Sequence, residues 1–188
     1  MKREMITITP ARGEEDAPFI ARAVAAGMGE EAARRYCGAD FLSVLEAAAR
    51  RPDTQYSFLR TLIAVEEGET VGAAVCYAGN RLAALRRPTL SLIRDLTGRQ
   101  HEMPDEAESD EYYLDTLFVL PERRGRGYGT ALIEEVKKAA RESGLSKAGL
   151  LADPENVGAL RLYRACGFEE EGTKEFLGSR MLHLVCHA

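Results

Sequence analysis

The sequence of 188 residues predicts a single α/β domain built around a mixed β-sheet. Two strand-like segments, Thr61–Glu66 and Thr70–Tyr77, are joined by a short loop that contains glycine, which predicts an antiparallel hairpin. Between Leu114 and Ala152, a strand, a glycine-rich loop, an amphipathic helix and a second strand follow one another. That order is typical of a βαβ unit with parallel strands. The domain is expected to cover residues 1–188, with an insertion at about residues 79–110.

The N-terminal part predicts one short strand and three helices. The predicted elements are a strand over Met5–Thr9 and helices over Ala17–Ala26, Glu30–Tyr36 and Asp40–Arg50. Ile6 and Ile8 alternate with polar residues, which is typical of a strand. Apolar residues at helical spacing support the first helix, and Gly27 and Gly29 are expected to end it. Asp40 is a suitable N-terminal cap for the third helix.

The stretch Gly79–Asp110 is longer than an ordinary connection between strands. Its first half has apolar residues at helical spacing among arginines, and its second half is acidic. The apolar residues are Leu82, Leu85, Leu90, Leu92, Ile93 and Leu96, and the acidic ones are Glu102, Asp105, Glu106, Glu108, Asp110 and Glu111. Two interpretations stay open, because long connections are usually functional or mobile. One is a solvated helical insertion without a direct role, and the other is a lid or specificity element.

A strand, a proline and a glycine-rich loop come next. Leu114–Leu120 is apolar and rich in strand-forming residues, and Pro121 is expected to end the strand because proline cannot donate to a β-ladder. Gly125, Gly127 and Gly129 then alternate with larger residues. Glycines allow a backbone to turn tightly and to approach a ligand closely. The loop is therefore expected to place its backbone against a bound group.

The C-terminal third predicts two helices and three further strands. These are a helix over Thr130–Ser143, a strand over Lys147–Ala152, a helix from Asn156 to Cys166, and strands over Phe168–Gly172 and Met181–Val185, with a turn at Gly178–Ser179. Gly144 and Gly167 suit the left-handed position that follows a helix. Asn156 is a good N-terminal cap, and Phe168 is expected to pack back near Tyr163.

The glycine-rich loop has the chemistry of a pyrophosphate-binding turn. A helix follows it at once, so unpaired N–H groups point back into the loop, and such a helix end attracts phosphate. Arg123, Arg124 and Arg126 add positive charge there. A nucleoside triphosphate loop would need a lysine after the glycines, and none is present. A dinucleotide loop would need a third glycine where Thr130 or Leu132 stands.

Two stretches together resemble the GNAT acyltransferase family. Arg124–Gly129, Arg-Gly-Arg-Gly-Tyr-Gly, is similar to the family signature Arg/Gln-x-x-Gly-x-Gly/Ala, which holds the pyrophosphate of acetyl-CoA. Asn156–Phe168 is similar to the later family block Asn-x-x-Ala-x-x-Leu-Tyr-x-x-x-Gly-Phe. The resemblance is specific over Leu114–Phe168, weak before Thr61 and silent over residues 79–109.

The resemblance implies a GNAT-like fold, with a mixed, mostly antiparallel sheet that is flanked by helices and splayed near the coenzyme. It implies transfer of an acetyl group from acetyl-CoA to a primary amine by direct attack, without a covalent enzyme intermediate. Acetyl-CoA would be a cosubstrate, and no metal is expected. The residues implied in coenzyme binding are Leu117, Phe118, Val119, Arg124, Gly125, Arg126, Gly127, Tyr128, Gly129, Thr130, Asn156 and Tyr163.

Tyr163 is the candidate general acid, because it matches the tyrosine of the later family block. Aminolysis of a thioester releases a thiolate, which a phenol can protonate. In some members of the family the tyrosine only positions the coenzyme. A core tyrosine that covers the end of its helix is the alternative without a catalytic role.

The general base is less well defined. Period-two alternation places Glu111, Tyr113 and Asp115 on one strand face, with Tyr112, Leu114, Thr116 and Phe118 facing the core. Some family members carry a glutamate where Tyr113 stands here. Asp115 is a carboxylate in an apolar strand, where it either contacts the acceptor or makes a structural hydrogen bond. Glu111 would act through a water molecule or serve as rim charge, and the acidic part of residues 79–110 would form a mobile rim of an amine-binding groove.

Composition limits the kinds of molecule that the protein is expected to bind. A formal charge of −5 argues against a nucleic-acid binder and is compatible with a cationic amine. No signal peptide or membrane span is predicted, so a cytoplasmic protein is expected. The four cysteines are expected to be buried and reduced. His183 and Cys186 would lie on opposite strand faces, which argues against a zinc site with His187.

Two other functions and the oligomeric state stay open. A non-catalytic acyl-CoA sensor or interaction module would keep the glycine-rich loop without using Tyr163 or Asp115. A nucleotide-binding domain, such as that of an NAD enzyme, would prefer NAD or ATP to coenzyme A. A homodimer is one possible assembly, and the amine acceptor is not identified by the sequence.

Overall fold

A computed structural model describes residues 6–188. Its seven strands form one sheet in the order β1-β2-β3-β4-β5-β7-β6. They are β1 (Thr7–Pro10), β2 (Thr61–Glu66), β3 (Glu69–Ala78), β4 (Tyr112–Val119), β5 (Lys147–Ala152), β6 (Glu169–Phe176) and β7 (Ser179–His187). All neighbouring pairs are antiparallel except β4 and β5. This confirms the predicted mixed, mostly antiparallel sheet.

Helices cover both faces of the sheet. They are α1 (Ala17–Met28), α2 (Glu30–Cys37), α3 (Phe41–Arg50), α4 (Leu82–Thr97), α5 (Tyr128–Glu142) and α6 (Val157–Ala165). On one face, Leu132 of α5 packs with Ala74 and Leu114 of the sheet, and α6 joins the same cluster. On the other face, Ala23 of α1 packs with Ala73 of β3. Two separate apolar layers therefore hold the sheet between them.

The parallel strands β4 and β5 pair over a very short length. Tyr112 lies opposite Ala148 and Tyr113 lies opposite Gly149, and no later residues of the two strands pair. β4 nevertheless continues to Val119 and pairs with β3 along its other edge. The predicted splay is confirmed, and it leaves one edge of β4 open toward the glycine-rich loop.

A β-bulge at Asp115 changes which side chains of β4 face each layer. Val75 pairs with Thr116 and Cys76 pairs with Leu114, so Asp115 is the extra residue on β4. Leu114 lies in the α5 layer, whereas Phe118 packs against Phe19 of α1. The predicted shared core face of Leu114, Thr116 and Phe118 is therefore wrong, because simple alternation does not survive an inserted residue.

Helix α1 continues past its predicted end at Ala26 to Met28. Gly27 lies inside the helix, and a Cβ atom there would lie 3.4 Å from Cγ2 of Thr116. The glycine thus permits close packing of the helix on β4, and only Gly29, with φ +85°, ends it. Strand β1 includes the predicted residues 7–9, whereas Met5 and its neighbours 1–4 lie outside the described residues.

Helix α5 begins at Tyr128, two residues before its predicted start, so Gly129 belongs to its first turn. At the C-terminus, β6 and β7 are longer than predicted and form a hairpin. Its turn is at Leu177–Gly178, one residue earlier than expected, and both residues have positive φ. The predicted bounds of β2 and β5 are confirmed without change.

The segment 79–110 is not a solvated insertion. Its helix, α4, buries Leu82, Leu85 and Ile93 against the rest of the domain. Pro88 lies inside the helix without ending it. In the acidic half, Glu106 is 3% exposed and therefore does not belong to a solvated rim. The segment is part of the core on the α1 face.

Candidate active site

The glycine-rich loop forms a tight turn that leads into α5. Gly125 and Gly127 have φ values of +76° and +91°, which only glycine adopts without strain. Gly127 is the N-terminal cap of the helix. Gly129 and Thr130 lie in the first turn of α5, where backbone N–H groups have no intrahelical acceptor. Exposed amides and the helix dipole make this turn suitable for an anion.

Glu66, at the end of β2, holds the glycine-rich loop in place through three side-chain contacts. Its carboxylate forms ion pairs with Arg123 and Arg126, and it accepts a hydrogen bond of 2.5 Å from the hydroxyl of Tyr128. The Tyr128 hydrogen bond and the two arginines lower the pKa of Glu66. Two of the three predicted phosphate-binding arginines are therefore tied to a protein carboxylate. Glu66 lies far from the loop in sequence, and no pattern in the sequence points to it.

Arg124 remains on the open side of the loop. It is exposed, and its Nε donates to the carbonyl oxygen of Val119 over 3.1 Å. The amide of Leu120 donates to Val71 of β3 over 2.9 Å. Because backbone groups alternate along a strand, those of Leu117 and Val119 face the open edge of β4. The role of these two residues in coenzyme binding stays a prediction. The side chain of Phe118 packs against Phe19 of α1.

Two other predicted coenzyme residues have local structural contacts. Asn156 caps α6, because its Oδ1 accepts from the amide of Ala159 over 3.1 Å. Burial raises the thiol pKa of Cys166, and a hydrogen bond with the side chain of Thr130 opposes that shift. The side chains of Asn156 and Thr130 therefore stabilise the helices. Of these two residues, only Thr130 has its backbone directed toward the loop.

Tyr163 lies on α6 and packs edge-on against Phe168, with ring centroids 5.9 Å apart. The amide of Phe168 donates to the carbonyl of Tyr163 over 3.0 Å, so the predicted helix end is confirmed. Burial raises the pKa of the Tyr163 hydroxyl to about 12. The phenol therefore keeps its proton at neutral pH.

A cavity of about 460 Å³ lies beside the bulge in β4. Its walls come from α1, α2, the β6–β7 turn and the segments around residues 55, 105 and 154. Apolar side chains that line it include Met28, Tyr36, Tyr56, Met103, Phe176 and Met181. Its carboxylates are Glu106, Asp115, Asp153 and Glu155, and Arg180 is the one cation of the described lining. The cavity therefore combines apolar walls with an acidic floor and rim.

Asp115 projects into this cavity from the bulge. Its Oδ2 accepts from the hydroxyl of Tyr77 over 2.8 Å, and its Oδ1 accepts from the hydroxyl of Thr116 over 3.1 Å. Burial raises the pKa of Asp115, although the hydrogen bonds from Tyr77 and Thr116 and the charge of Arg86 oppose that shift. The carboxylate is thus held in one orientation and has a higher affinity for a proton than an ordinary aspartate.

Glu111 does not line the cavity. It is 1% exposed, and its carboxylate bonds Nε2 of His183 over 2.9 Å and the amide of Glu108 over 2.9 Å. A Cβ atom at Gly149 would lie 2.0 Å from Oε2 of Glu111, so the glycine makes room for this carboxylate. The structure thus separates Glu111 from Asp115, although both were predicted to share a strand face. The four cysteines are buried and unpaired, as predicted.

Sequence reasoning did not find Tyr77 and Gln55 near Asp115, and it placed Glu106 in a mobile acidic rim instead of a buried contact. They come from β3, from the loop before β2 and from the segment after α4, and no local pattern marks them. Residues 6–188 contain no group of three or more His, Cys, Asp or Glu side chains that could hold a metal ion. In the same range, no helix is long and apolar enough to cross a bilayer.

A family model and a solved structure both match this chain. Residues 30–168 match the model of the acetyltransferase (GNAT) family. A crystal structure described as that of an acetyltransferase superposes with a TM-score of 0.80 at 26% identity, covering 96% of this chain and 98% of that one.

Two curated relatives match shorter stretches. An uncharacterized N-acetyltransferase of Methanocaldococcus jannaschii is 44% identical over 55 residues, or 29% of this chain and 24% of that protein. The N-alpha-acetyltransferase MAK3 of Arabidopsis thaliana is 37% identical over 67 residues, or 36% of this chain and 35% of that protein. The matched stretches thus span about a quarter to a third of the curated relatives.

Proposed function

Because the chain belongs to the acetyltransferase (GNAT) family, we propose that it transfers an acetyl group from acetyl-CoA to a primary amine within a ternary complex. The observation that supports this proposal is that β4 connects the glycine-rich turn with the cavity around Asp115. We assign the first to a donor half of the site and the second to an acceptor half. The donor half is the open edge of Leu117–Val119, the turn 124–130 and Tyr163. The acceptor half is Asp115 and its cavity. Roughly 13 Å of extended strand separates Asp115 from Val119.

In the donor half, the exposed amides at the start of α5 bind the pyrophosphate of the coenzyme, with Arg124 as the additional cation. The pantetheine arm lies in the opening between β4 and β5 and pairs with the backbone of Leu117 and Val119. The thioester then reaches the region of Asp115 and Tyr163, beyond the last paired residues of the two strands.

In the acceptor half, Asp115 removes the proton of the incoming ammonium group. The nitrogen lone pair then attacks the thioester carbonyl carbon, the carbon–sulfur bond breaks, and the thiolate leaves with the bonding electrons. Tyr163 gives its proton to that thiolate. The acylated nitrogen releases its second proton to solvent, and the Tyr163 phenolate takes up a proton from solvent, which restores the phenol for the next turnover. A phenol with a pKa of about 12 is a weak acid, but it is fully protonated when the thiolate forms.

The cavity favours amines that carry an apolar body and no acidic group near the nitrogen. Asp115, Asp153 and Glu155 attract a cation and repel an anion, and they outnumber Arg180, whereas Arg86 neutralises Glu106. The Met and aromatic walls bury an apolar substituent. We expect a phenylalkylamine to have a higher kcat/KM than an amino acid of similar size, and an amine panel with free thiol as the readout measures this.

Calorimetric titration with acetyl-CoA, with NAD and ATP as controls, tests the donor assignment. Selective micromolar binding of acetyl-CoA is expected. Preferential binding of NAD or ATP would instead support a nucleotide-binding domain. Acetyl-CoA binding without thiol release from any amine would support a non-catalytic sensor. We place the enzyme in the cytoplasm, in keeping with its four buried, unpaired cysteines.

A further inference from the structure

A chain of buried polar contacts runs from α4 to Asp115. Arg86 of α4 is ion-paired with Glu106, whose Oε1 accepts from Nε2 of Gln55 over 3.1 Å. The same Nε2 lies 3.1 Å from the hydroxyl of Tyr77, and that hydroxyl donates to Asp115 over 2.8 Å. The three contacts from Glu106 to Asp115 are all within hydrogen-bonding distance.

The chain is buried in the core and is not a surface network. Arg86 is 7% exposed, Glu106 3% and Tyr77 3%. Arg86 also donates to the carbonyl of Met103 over 3.1 Å and to Asp105 over 2.8 Å. Burying an ion pair is unfavourable unless nearly all its hydrogen-bonding groups are satisfied. The buried Arg86–Glu106 pair is connected by hydrogen bonds to Asp115 in the cavity. A role in the function of the site would explain why such a pair is buried there.

We propose that Tyr77 and the Glu106–Arg86 pair are positioning residues that orient Asp115 and hold it ready to accept a proton. This inference rests on the proposed function, in which Asp115 is the base. It assigns the segment 79–110 a role in the reaction: α4 supplies a cation, and the following loop supplies the carboxylate that neutralises it. Tyr77 and Arg86 do not line the cavity, whereas Glu106 does.

The contributions of Tyr77 and Glu106 have opposite signs. The Tyr77 hydroxyl donates to the carboxylate and so favours its ionised form, as does the positive charge of Arg86. Glu106 cancels part of the Arg86 charge, and so works against ionisation. Other titratable groups whose charge interacts with Asp115 are Tyr36 of α2, Tyr56 before β2, Cys76 of β3 and Tyr113 of β4. Burial raises the pKa of all four, so they stay neutral at the pH of the assay.

The test is the pH profile of kcat/KM for Tyr77→Phe and Glu106→Gln. The phenylalanine variant should move the acidic limb upward by about one pH unit, because the carboxylate loses a donor. The glutamine variant should move that limb downward, because the charge of Arg86 is no longer neutralised. Loss of structure alone does not produce shifts of opposite sign. If Tyr77→Phe does not fold, the downward shift in Glu106→Gln still decides the matter.

Matched controls make the result specific. Tyr112→Phe removes a tyrosine hydroxyl on the other face of β4, and Glu102→Gln removes an exposed charge from the same acidic segment. Neither should move the limb. Asp115→Asn must abolish it, and a limb that persists there refutes the base assignment itself. If Asp115→Asn removes the limb while Tyr77→Phe and Glu106→Gln leave it unmoved, the positioning role is wrong and the proposed function stands.

Discussion

The donor half and the acceptor half are built from different kinds of sequence. The turn 124–130 is one continuous stretch, and its glycines, arginines and helix start are neighbours in the chain. The cavity of the acceptor half is assembled from α1, α2, Gln55, Glu106, the bulge at Asp115 and the β6–β7 turn. A coenzyme that is common to a family can be held by a local motif. An acceptor that differs between enzymes is held by residues that only the fold brings together.

The largest expected effect lies in the acceptor half. Asp115→Asn should lower kcat by about 10³-fold, because a general base contributes an effect of that order. Burial raises the pKa of Asp115 above that of an ordinary aspartate, and a base must be ionised to work. The wild-type kcat/KM should therefore rise with pH through that pKa, and the variant should lose this rise. Steady-state kinetics over a pH series measures both effects.

Acetyl-CoA affinity is the control for Asp115→Asn. If the two halves are independent, calorimetry should give the same dissociation constant for the variant and the wild type. A variant that keeps full turnover would remove Asp115 from the mechanism. A large loss of coenzyme affinity would instead show that the bulge also shapes the donor half, and the separation of the two halves would fail.

The difference between a continuous stretch and residues that the fold brings together also explains how well each half could be predicted from the sequence. The glycines and the cap at Asn156 were predictable, as was the start of α5 to within two residues, because each depends on neighbours within a few residues. The bulge at Asp115 depends on how β4 pairs with Val75 and Cys76, so strand alternation alone placed Thr116 on the wrong face. Glu66 was not predictable as the brace of the loop, because the contact joins residues about sixty positions apart.

The second-largest effect is expected in the donor half. Gly127→Val should weaken acetyl-CoA binding by about 100-fold or more, because φ is +91° and a side chain cannot adopt it without strain. Gly144→Val is a matched control at the other end of α5, where φ is +75°. Both variants should be destabilised, but only the first should lose affinity. Equal affinity for both variants would mean that the pyrophosphate lies elsewhere.

A smaller effect is expected at Tyr163. Tyr163→Phe should lower kcat by about tenfold and leave KM for acetyl-CoA unchanged, because the ring still packs on Phe168. With a pKa of about 12, the phenol stays protonated across the usual assay range, so it should add no alkaline limb below about pH 10. Undiminished turnover with every amine tested would remove the acid role, and a raised KM would indicate that the tyrosine positions the coenzyme.

The smallest effect concerns the brace at Glu66. Glu66→Gln should weaken acetyl-CoA binding by about fivefold, since Arg123, Arg126 and Tyr128 lose the carboxylate that orders the loop. Glu69→Gln removes an exposed charge from the same hairpin and should change nothing. Calorimetry at two salt concentrations separates the alternatives. Tighter binding with a steeper salt dependence would show that the freed arginines reach the phosphates, which would make Glu66 their competitor and place Arg126 in the coenzyme site.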